Sequence, residues 1–474
     1  MAGRKLSINP VTRIEGHGKV TIWLNDAGQA TDARLHVTQF RGFEVFTQGR
    51  PYEEMPIITQ RICGICPVSH QLASAKACDA ILGQEIPPTA ILLRQLLHMG
   101  QYIQSHALHF FYLASPDLLL GFDADPARRN VLGVVAQFPE AATMGLKLRK
   151  FGQEIIKSLA GKKVHPAYSV PGGVTDPLTE RDRDRLLSGF AEAHRACRLG
   201  LDLIKGWIAQ NRQEVEGFAN FPSLYAGLVD EKGQLNLYQG QIRLADAKGQ
   251  VVDQFAPENY LAHLGEKVET WSYMKFPFYR PRGYPDGLYR VGPLARLNAA
   301  DGLSTPQAQA ELEEYRRMAK GISGAILMFH YARLLENLYA LERAEELLKN
   351  DRICDTEVRA SGVPLNREGV GVIEAPRGIL IHHYWVDGHG AMERANLIVA
   401  TGHNNLAMNR SILLVAQRYI KNGQVTEGLL NRVEAAIRCF DPCLSCATHA
   451  LGAMPLLVLV ISRQGEVLHE LCRG

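Results

Sequence analysis

Two short cysteine motifs lie near opposite ends of this 474-residue chain. The first contains Cys63 and Cys66, the second contains Cys443 and Cys446, and each pair has two residues between its cysteines. This spacing places two sulfurs close enough to share one metal, and thiolates are soft ligands that nickel, iron or zinc accept. Two such pairs predict a four-thiolate metal site, which requires the fold to bring the two ends of the chain together.

A single pair of this kind is also typical of a redox dithiol or of half a zinc knuckle. Zinc knuckles set their pairs some tens of residues apart, whereas almost the whole chain separates these two. The spacing favours a catalytic metal buried between the first and last elements of a large core. Structural zinc and a disulfide or redox dithiol remain the alternatives.

The composition excludes several classes of partner. Hydrophobic residues make up 46% of the chain, charged residues 21%, and the net charge is +3, which gives no reason to expect nucleic acid or a membrane surface. No window holds the run of about 18 apolar residues that a membrane span requires, and the start lacks a signal-peptide apolar region. Nine cysteines without a disulfide framework fit a reducing compartment, so the sequence predicts a cytoplasmic protein without a membrane span.

The elements that must position the motifs follow from periodicity. Alternating apolar and polar residues in Lys19–Leu24 and Ala33–Val37 predict a hairpin, and turn signals within Leu224–Phe255 predict a small sheet. The segment Tyr273–Arg290, rich in Pro, Gly and aromatics, is predicted to be a surface loop. Helical periodicity predicts helices over Leu72–Leu82, Ile91–Leu113, Met144–Leu159, Arg181–Phe218 and Ala308–Leu348.

These elements predict a mainly α fold with smaller β-sheets, of the α+β class. Because the last two helices are long, we expect a central bundle of extended helices, with the metal site between the N- and C-terminal segments. No repeat, low-complexity tract or linker interrupts the chain, so residues 1–474 are expected to form a single intertwined domain.

Together with their flanking residues, the motifs make the chain similar to the large, catalytic subunit of [NiFe] hydrogenases over nearly its whole length. The resemblance implies reversible heterolytic cleavage of H2 to protons and electrons. It rests on Arg13-Ile14-Glu15-Gly16-His17, Arg61-x-Cys63-Gly64-x-Cys66-x-x-x-His70, His165-Pro166 with Pro171-Gly172-Gly173, Glu374-Ala375-Pro376-Arg377-Gly378, and Asp441-Pro442-Cys443-x-x-Cys446-x-x-His449.

The resemblance also assigns ligands. It implies that the four cysteines hold a nickel and an iron, the iron carrying carbon monoxide and cyanide as well. Cys63 and Cys443 match terminal nickel ligands, while Cys66 and Cys446 match ligands that bridge both metals. The proton from H2 would pass to the sulfur of Cys443 and then to Glu15.

Each charged candidate also has an ordinary structural explanation. Glu15 is equally typical of a salt-bridge partner of Arg13. The guanidinium of Arg377 would lie over the open coordination position, whereas the alternative is a buried ion pair with Asp441 or Glu374. The two interpretations of Arg377 can both hold.

Three of the histidines after Cys66 are considered as candidates. If Pro67 opens a helix, His70 lies one turn beyond Cys66 and can donate a hydrogen bond to a cysteine sulfur, a role favoured over metal ligation. His106 and His109 share a helix face at i, i+3 spacing. We expect them to be core or partner-facing residues rather than ligands.

Three further positions are interpreted through the resemblance. Glu44 and His449 match the residues that hold magnesium or a similar ion near the C-terminus, a role that suits a carboxylate better than an imidazole. Ser105 departs from the family, many members of which have an acidic residue there, and this leaves the surroundings of Arg377 less acidic.

The tail after the second motif is expected to be removed. The resemblance implies a precursor that a maturation endopeptidase cuts after His449, removing residues 450–474. The apolar run Leu456–Ile461, a turn at Gln464-Gly465 and a second short run predict a hairpin in this tail. The alternative is a permanent terminal strand pair.

Electrons must leave through a partner, because the chain has neither further cysteine clusters nor a Gly-x-Gly-x-x-Gly nucleotide motif. The resemblance implies that this partner is an iron-sulfur small subunit. The residues of the first motif resemble the cytoplasmic NAD-reducing type, with NAD and FMN in separate diaphorase subunits. NADP-linked or deazaflavin-reducing enzymes and a hydrogen sensor are the alternatives. The related quinone-side subunit of respiratory complex I lacks the metal-binding cysteines that this chain has.

Overall fold

The computed structural model describes residues 5–363, 365–421, 423–448, 456–461 and 467–473. About 49% of the chain is helical and about 19% is strand, which confirms the predicted mainly α class with smaller sheets. The helices are α1 Phe43–Phe46, α2 Met55–Thr59, α3 Pro67–Leu82, α4 Pro88–Leu108, α5 Ser115–Leu120, α6 Val131–Gln137, α7 Pro139–Ala160, α8 Glu180–Leu187, α9 Phe190–Gln210, α10 Arg212–Gly217, α11 Tyr260–His263, α12 Pro293–Ala299, α13 Pro306–Ala319, α14 Met328–Leu348, α15 Ala400–His403, α16 Asn405–Tyr419 and α17 Glu427–Cys439.

The strands form several small sheets. They are β1 Lys5–Ile8, β2 Gly18–Leu24, β3 Ala30–Val37, β4 Ser169–Val170, β5 Gly173–Val174, β6 Leu224–Val229, β7 Gln241–Ala245, β8 Val251–Phe255, β9 Leu264–Lys267, β10 Phe276–Tyr279, β11 Tyr289–Arg290, β12 Glu368–Ala375, β13 Gly378–Val386, β14 Met392–Ile398, β15 Leu456–Ile461 and β16 Val467–Arg473. The sheet orders include β1-β2-β3, β11-β6-β7-β8 and β12-β13-β14. The predicted hairpins correspond to β2–β3 and to β15–β16, and both pairs are antiparallel. The predicted Gln464-Gly465 turn lies outside the described residues.

The centre of the molecule is the expected bundle of long helices. Helix α4 packs on α7 and α14, and α9 packs on α7 and α14 as well. Helix α14 is buried over nearly its whole length, and charged side chains such as Arg333 and Glu336 are buried with its apolar residues. Glycine permits the close approach of α7 to α4, because a Cβ at Gly152 would lie 2.6 Å from the backbone nitrogen of Gln104.

Two predicted helices are longer than those observed. The segment Arg181–Phe218 divides into α8, α9 and α10. The segment Ala308–Leu348 is interrupted between α13 and α14, where Lys320 has φ of 59° and Gly321 has φ of +103°. Residues in this left-handed region cannot continue a right-handed helix, so the chain turns there.

The prediction of a surface loop over Tyr273–Arg290 was wrong. Strand β10 lies within it and pairs with β9, and β11 pairs in parallel with β6. The side chains of Tyr289 and Arg290 are buried. Proline and glycine in this segment mark turns between short strands. The strands can be short because each one pairs with a strand from another segment.

Candidate metal centre

The first cysteine pair has hydrogen bonds to sulfur from its own neighbours. Cys63 ends a short 3₁₀ turn, and Cys66 is the N-cap of α3, with Pro67 at the first helical position as expected. The sulfur of Cys63 accepts hydrogen bonds from the backbone N–H groups of Ile65 at 3.2 Å and Cys66 at 3.1 Å. The loop therefore closes around one sulfur and orients the second toward the same point.

The second pair is organised by distant segments. Cys443 pairs with Glu15 in an isolated parallel bridge, and the N–H of Leu444 donates to the backbone oxygen of Glu15 at 3.0 Å. The N–H of Cys443 donates to Oγ1 of Thr401 at 3.0 Å, and a 3₁₀ turn over Leu444–Ala447 carries Cys446.

All four sulfurs meet in the core. The Sγ atoms of Cys63 and Cys443 are 3.4 Å apart, those of Cys66 and Cys446 are 3.8 Å apart, and all four lie within 4.8 Å of one another. These separations far exceed a disulfide bond of about 2.05 Å. The four residues are buried within the main hydrophobic core, which contains residues from both ends of the chain. The arrangement is a closed set of four soft donors.

The pKa values of the clustered thiols shift in opposite directions. Hydrogen bonds from Cys443, Cys446 and Cys63 lower the pKa of Cys66 well below its ordinary value, and a hydrogen bond from His70 adds to this effect. Burial instead raises the pKa of Cys443 and of Cys446. Negative charge is therefore favoured on Cys66 over Cys443 and Cys446.

Arg377 is held beside the sulfurs by Asp441. Its Nε donates to the backbone oxygen of Asp441 at 2.7 Å, and its Nη2 lies 3.1 Å from Oδ2 of the carboxylate. Of the two carboxylates considered from the sequence, Glu374 is not the partner, since it binds Arg296 at 2.7 Å. Burial opposes the charge of Arg377, but Asp441 and the cysteines Cys443, Cys66 and Cys63 raise its pKa well above the ordinary value. The guanidinium is therefore a fixed positive charge.

Glu15 contacts the second cysteine pair directly. The thiol of Cys443 donates to Oε2 of Glu15 at 3.0 Å, and the N–H of Ser445 donates to the same oxygen at 3.2 Å. The alternative of a salt bridge to Arg13 was wrong, because Arg13 binds Asp117 at 2.5 Å. Neighbouring residues in the Arg13–His17 motif thus have separate partners.

An ion cluster around Asp117 joins the N-terminal segment to α17. Its carboxylate binds Arg13, accepts from Nδ2 of Asn431 at 3.0 Å, and pairs with Arg438. Burial opposes the charge of Asp117, but Arg438 and Arg13 lower the pKa of the carboxylate below its ordinary value. This cluster fixes the positions of Glu15 and of the second cysteine pair relative to each other. Sequence reasoning missed it, although a lone aspartate in the apolar run Phe110–Leu120 is a signal.

The candidate histidines His70, His106 and His109 have different surroundings. His70 lies on α3 one turn beyond Cys66, and its Nδ1 is 3.1 Å from Nε2 of His382. Burial lowers the pKa of His106 to about 4, and its Nε2 lies 3.0 Å from Glu336. His109 is buried with Nε2 2.7 Å from the backbone oxygen of Arg438. His106 and His109 are core residues.

The remaining candidates lie apart from the sulfurs or outside the described residues. Glu44 is buried, and its Oε1 accepts from the N–H of Leu397 at 2.8 Å. The charge of Glu44 acts on Lys275, which forms an ion pair with Glu266 at 3.0 Å. A cavity of about 10 Å³ lies beside this pair, and Leu397 and Ala447 also line it. His449 lies outside the described residues.

A second cavity of about 10 Å³ adjoins the sulfurs. Its polar groups include Arg377 and Thr401, and its apolar wall includes Ala375, Leu380 and Val399. A space of this size is close to that of one water molecule. Sequence reasoning missed Thr401, and no local pattern in its surroundings marks it. Ser105 is buried on α4.

Comparison with known proteins agrees with this geometry. The profile of the nickel-dependent hydrogenase family matches residues 41–132 and 198–449, and a HoxL-like profile matches residues 5–40. The chain is 44% identical to the beta subunit of the NAD-reducing hydrogenase HoxS of Cupriavidus necator, over 99% of this chain and 100% of that one. It is 42% identical to a component of the vhc F420-non-reducing hydrogenase of Methanococcus voltae, over 98% and 99% of the two chains.

A solved NAD+-reducing [NiFe]-hydrogenase in the H2-reduced state has the same fold, with a TM-score of 0.92 and 48% identity over 95% of this chain and 100% of that one. The chain therefore belongs to the nickel-dependent hydrogenases, as their large, catalytic subunit. The resemblance noted from the motifs is confirmed. Within the described residues, none of the helices is long and apolar enough to cross a membrane.

The donor set fits the metals that this family uses. Four thiolates supply soft, electron-rich ligands for nickel and iron, and their burial keeps water from competing. Arg377 is fixed by two contacts to Asp441 yet leaves its buried Nη1 without a hydrogen-bond partner within the described residues. A buried N–H group of this kind is suited to donate a hydrogen bond to a polar group bound at the metal centre.

Proposed function

We propose that the chain is the H2-cleaving subunit of an NAD-reducing hydrogenase. The observation that carries this proposal is the closed set of four buried sulfurs in a chain that aligns end to end with an NAD-reducing relative. Electrons would pass through an iron-sulfur small subunit to diaphorase subunits that hold FMN and NAD. An acceptor other than NAD is the second candidate, because relatives named F420-non-reducing are 42% to 44% identical.

The proposed ligands are the four cysteines. Cys63 and Cys443 would hold nickel, and Cys66 and Cys446 would hold both nickel and an iron that also carries carbon monoxide and cyanide. Such a centre, when bound, supplies the chemistry that splits H2 heterolytically. The small cavity beside Arg377 supports this proposal, since it suits only molecules of a few atoms.

The chain's own groups move the proton. Cys443 and Glu15 form a contact of 3.0 Å, so the sulfur accepts the proton and the carboxylate receives it next. The N–H of Ser445 donates to the same oxygen and orients the carboxylate. Arg377, aimed by Asp441, places a fixed positive charge at the centre, and His70 donates a hydrogen bond to sulfur.

Glu44 and His449 hold a magnesium ion near the end of the mature chain. A maturation endopeptidase cuts after His449 and removes residues 450–474. We propose that residues 1–474 form one intertwined domain before this cut, since a single core cluster contains residues from Val11 to Cys446. Buried cysteines without disulfides and an NAD-reducing relative support a cytoplasmic location.

The test combines metal analysis with acceptor assays on the chain purified with its natural partners. One nickel and one iron per chain, a mass that ends at His449 and H2-dependent reduction of NAD are expected. Cys354→Ser, which alters a half-buried cysteine outside the cluster, is the matched control and should retain both metals. Zinc alone would contradict the hydrogenase proposal. Reduction of NADP or a deazaflavin, but not NAD, would overturn the acceptor, and the absence of turnover in a complex with both metals would favour a sensor.

A further inference from the structure

The backbone of the turn that carries Arg377 is bound by one buried side chain. Strands β12 and β13 pair as far as Ala375 and Gly378, so Pro376 and Arg377 form the two-residue turn between them. The backbone oxygens of Ala375 and Pro376 accept hydrogen bonds from the guanidinium of Arg296 at 2.7 and 3.0 Å. Both residues that directly precede Arg377 are therefore held by Arg296.

Arg296 uses all of its side-chain N–H groups, of which an arginine has five. Besides the two backbone oxygens, its Nε and Nη2 donate to the carboxylate of Glu336 at 2.6 and 2.7 Å, and its Nη1 donates to that of Glu374 at 2.7 Å. All three side chains are fully buried. The guanidinium cannot turn without leaving a buried acceptor unsatisfied, so its orientation is fixed.

Helix α4 provides a second set of donors to the same backbone. The hydroxyl proton of Tyr102 is shared between the backbone oxygens of Glu374 and Ala375, at 2.9 and 3.0 Å. Nε2 of His98 also donates to the backbone oxygen of Glu374, at 2.8 Å. The guanidinium of Arg296 lies 5.4 Å from the centre of the Tyr102 ring, a cation–π contact. Each of the two oxygens that Tyr102 binds thus has one further donor.

Helix α12 joins Arg296 to the turn by packing as well. Its N-cap Gly292 lies against the backbone of Arg377, since a Cβ at Gly292 would be 2.9 Å from the backbone oxygen of Arg377. The backbone N–H of Arg296 donates to the oxygen of Gly292 at 2.9 Å, so Arg296 stands one helical turn further along. The start of α12 and its arginine therefore contact the turn together.

We propose that Arg296 and Tyr102 are positioning residues that act through the backbone just before Arg377 to hold its guanidinium beside the sulfurs. Asp441 holds the same guanidinium directly, from the second motif. Arg377 is thus fixed at its backbone and at its charged end. The effect on the metals rests on the proposed function, whereas the placement of Arg377 does not depend on metal, so the two parts can fail separately.

Arg296→Lys is the main test variant. A lysine keeps a positive charge for the two carboxylates, but its three N–H groups cannot serve five acceptors. Tyr102→Phe is the milder variant, because every acceptor keeps one donor. Arg94→Lys is the matched control, since buried Arg94 also binds a carboxylate, that of Asp79 at 2.5 Å, and a backbone oxygen, that of Val170 at 2.6 Å. None of these residues belongs to the metal centre.

The first measurement is nitrogen-15 NMR of the metal-free, full-length chain with labelled arginine. It follows exchange with water of the Nε–H of Arg377, which donates to the backbone oxygen of Asp441, and Arg377→Lys assigns the signal. In Arg296→Lys this exchange should become at least about tenfold faster, because loss of one or two buried hydrogen bonds opens the turn that much more often. Tyr102→Phe should accelerate it by about threefold. In Arg94→Lys the exchange rate of Arg377 should equal that of the parent.

The Nε–H of Arg94 serves as an internal control in both test variants, since it donates to the backbone oxygen of Gly173 and reports on opening elsewhere in the chain. Its exchange should change by less than about twofold. Unchanged exchange at Arg377 in both test variants would overturn the proposal, and so would equal acceleration at Arg377 and Arg94, which would mean a general loss of stability. Acceleration in Arg296→Lys alone would exclude Tyr102 and support Arg296. If Arg296→Lys does not fold, the same comparison in Tyr102→Phe decides.

The second measurement is infrared spectroscopy of the loaded complex with its partners, together with nickel and iron content. Arg296→Lys should keep the metal content of the parent and shift the carbon monoxide and cyanide stretching bands, whereas Arg94→Lys should not. Faster exchange at Arg377 without a band shift would refute the link from Arg377 to the metals. Absence of nickel and iron from the parent itself would refute the proposed function and leave the exchange result standing.

Discussion

The two halves of the metal centre are built in different ways. The sulfur of Cys63 accepts hydrogen bonds from backbone N–H groups within three positions of it, and Gly64 is exposed. More distant side chains, such as His165, bind only backbone oxygens of this loop. Cys443 and Cys446 are fully buried, and their loop is held by Glu15 and Thr401. The contacts to sulfur in the first half are local, whereas those in the second half require the N-terminal segment, and its backbone is held by α15. Metal binding should therefore report on the assembly of the whole chain.

The largest effect is expected from removing a ligand of the distant half. Cys443→Ser replaces a soft sulfur with a hard oxygen and removes the proton acceptor beside Glu15. Hydrogen activity should be lost, and nickel content should fall. H2 uptake and elemental analysis check this, with Cys354→Ser as the control. Full activity in Cys443→Ser would remove it from the ligand set.

The next effect is expected at the ion cluster that holds the distant half. Asp117→Asn removes the carboxylate that half-buried Arg13 shares with buried Arg438 and leaves Arg438 only Glu434, which should lower the free energy of unfolding by about 3–5 kcal/mol. Asp123→Asn is the control, because its partner Arg432 binds it at an exposed site where the loss should be below about 1 kcal/mol. Urea unfolding of the full-length chain measures both. Equal losses in the two variants would contradict the role of Asp117.

The same cluster predicts a dependence on pH. The folded state holds the pKa of Asp117 below its ordinary value, so its contribution to stability is complete above the unfolded pKa of about 3.9 and decreases as pH falls below it. The difference in unfolding free energy between the parent and Asp117→Asn should therefore shrink from about pH 4 downward. A difference that grew with acidity would have the wrong sign.

This contrast also explains what the sequence could predict. The spacing of the cysteines, the helix that opens at Pro67 and the β2–β3 hairpin depend on local patterns, and all three are present. The Asp117 contacts join residues 104 and 321 positions apart, and no local pattern encodes such a pairing. The break at Lys320 was missed because a lysine in the left-handed region is uncommon.

A smaller effect is expected from Glu15→Gln. The amide can still accept from the N–H of Ser445, but it no longer takes a proton from Cys443, so exchange between H2 and water should slow by a factor on the order of 10² to 10⁴. Metal content should stay the same. Mass spectrometry of H2/D2O exchange tests this, with the exposed Glu53→Gln as the control. An unchanged exchange rate would remove Glu15 from the proton path.

The smallest effect is expected at Gly64, and its counterpart in the distant half is Gly16. A Cβ at Gly64 meets no atom within 4 Å, so Gly64→Ala should change the unfolding free energy by less than about 0.5 kcal/mol. Gly16 has φ of +85°, and a Cβ there would lie 2.8 Å from that of Leu444, so Gly16→Ala should cost about 1–3 kcal/mol. Urea unfolding of both full-length variants measures the difference. Gly16→Ala should be the costlier substitution only if the N-terminal segment is tightly enclosed against Leu444. Similar losses of unfolding free energy in the two variants would therefore mean that both halves of the centre are held with equal rigidity.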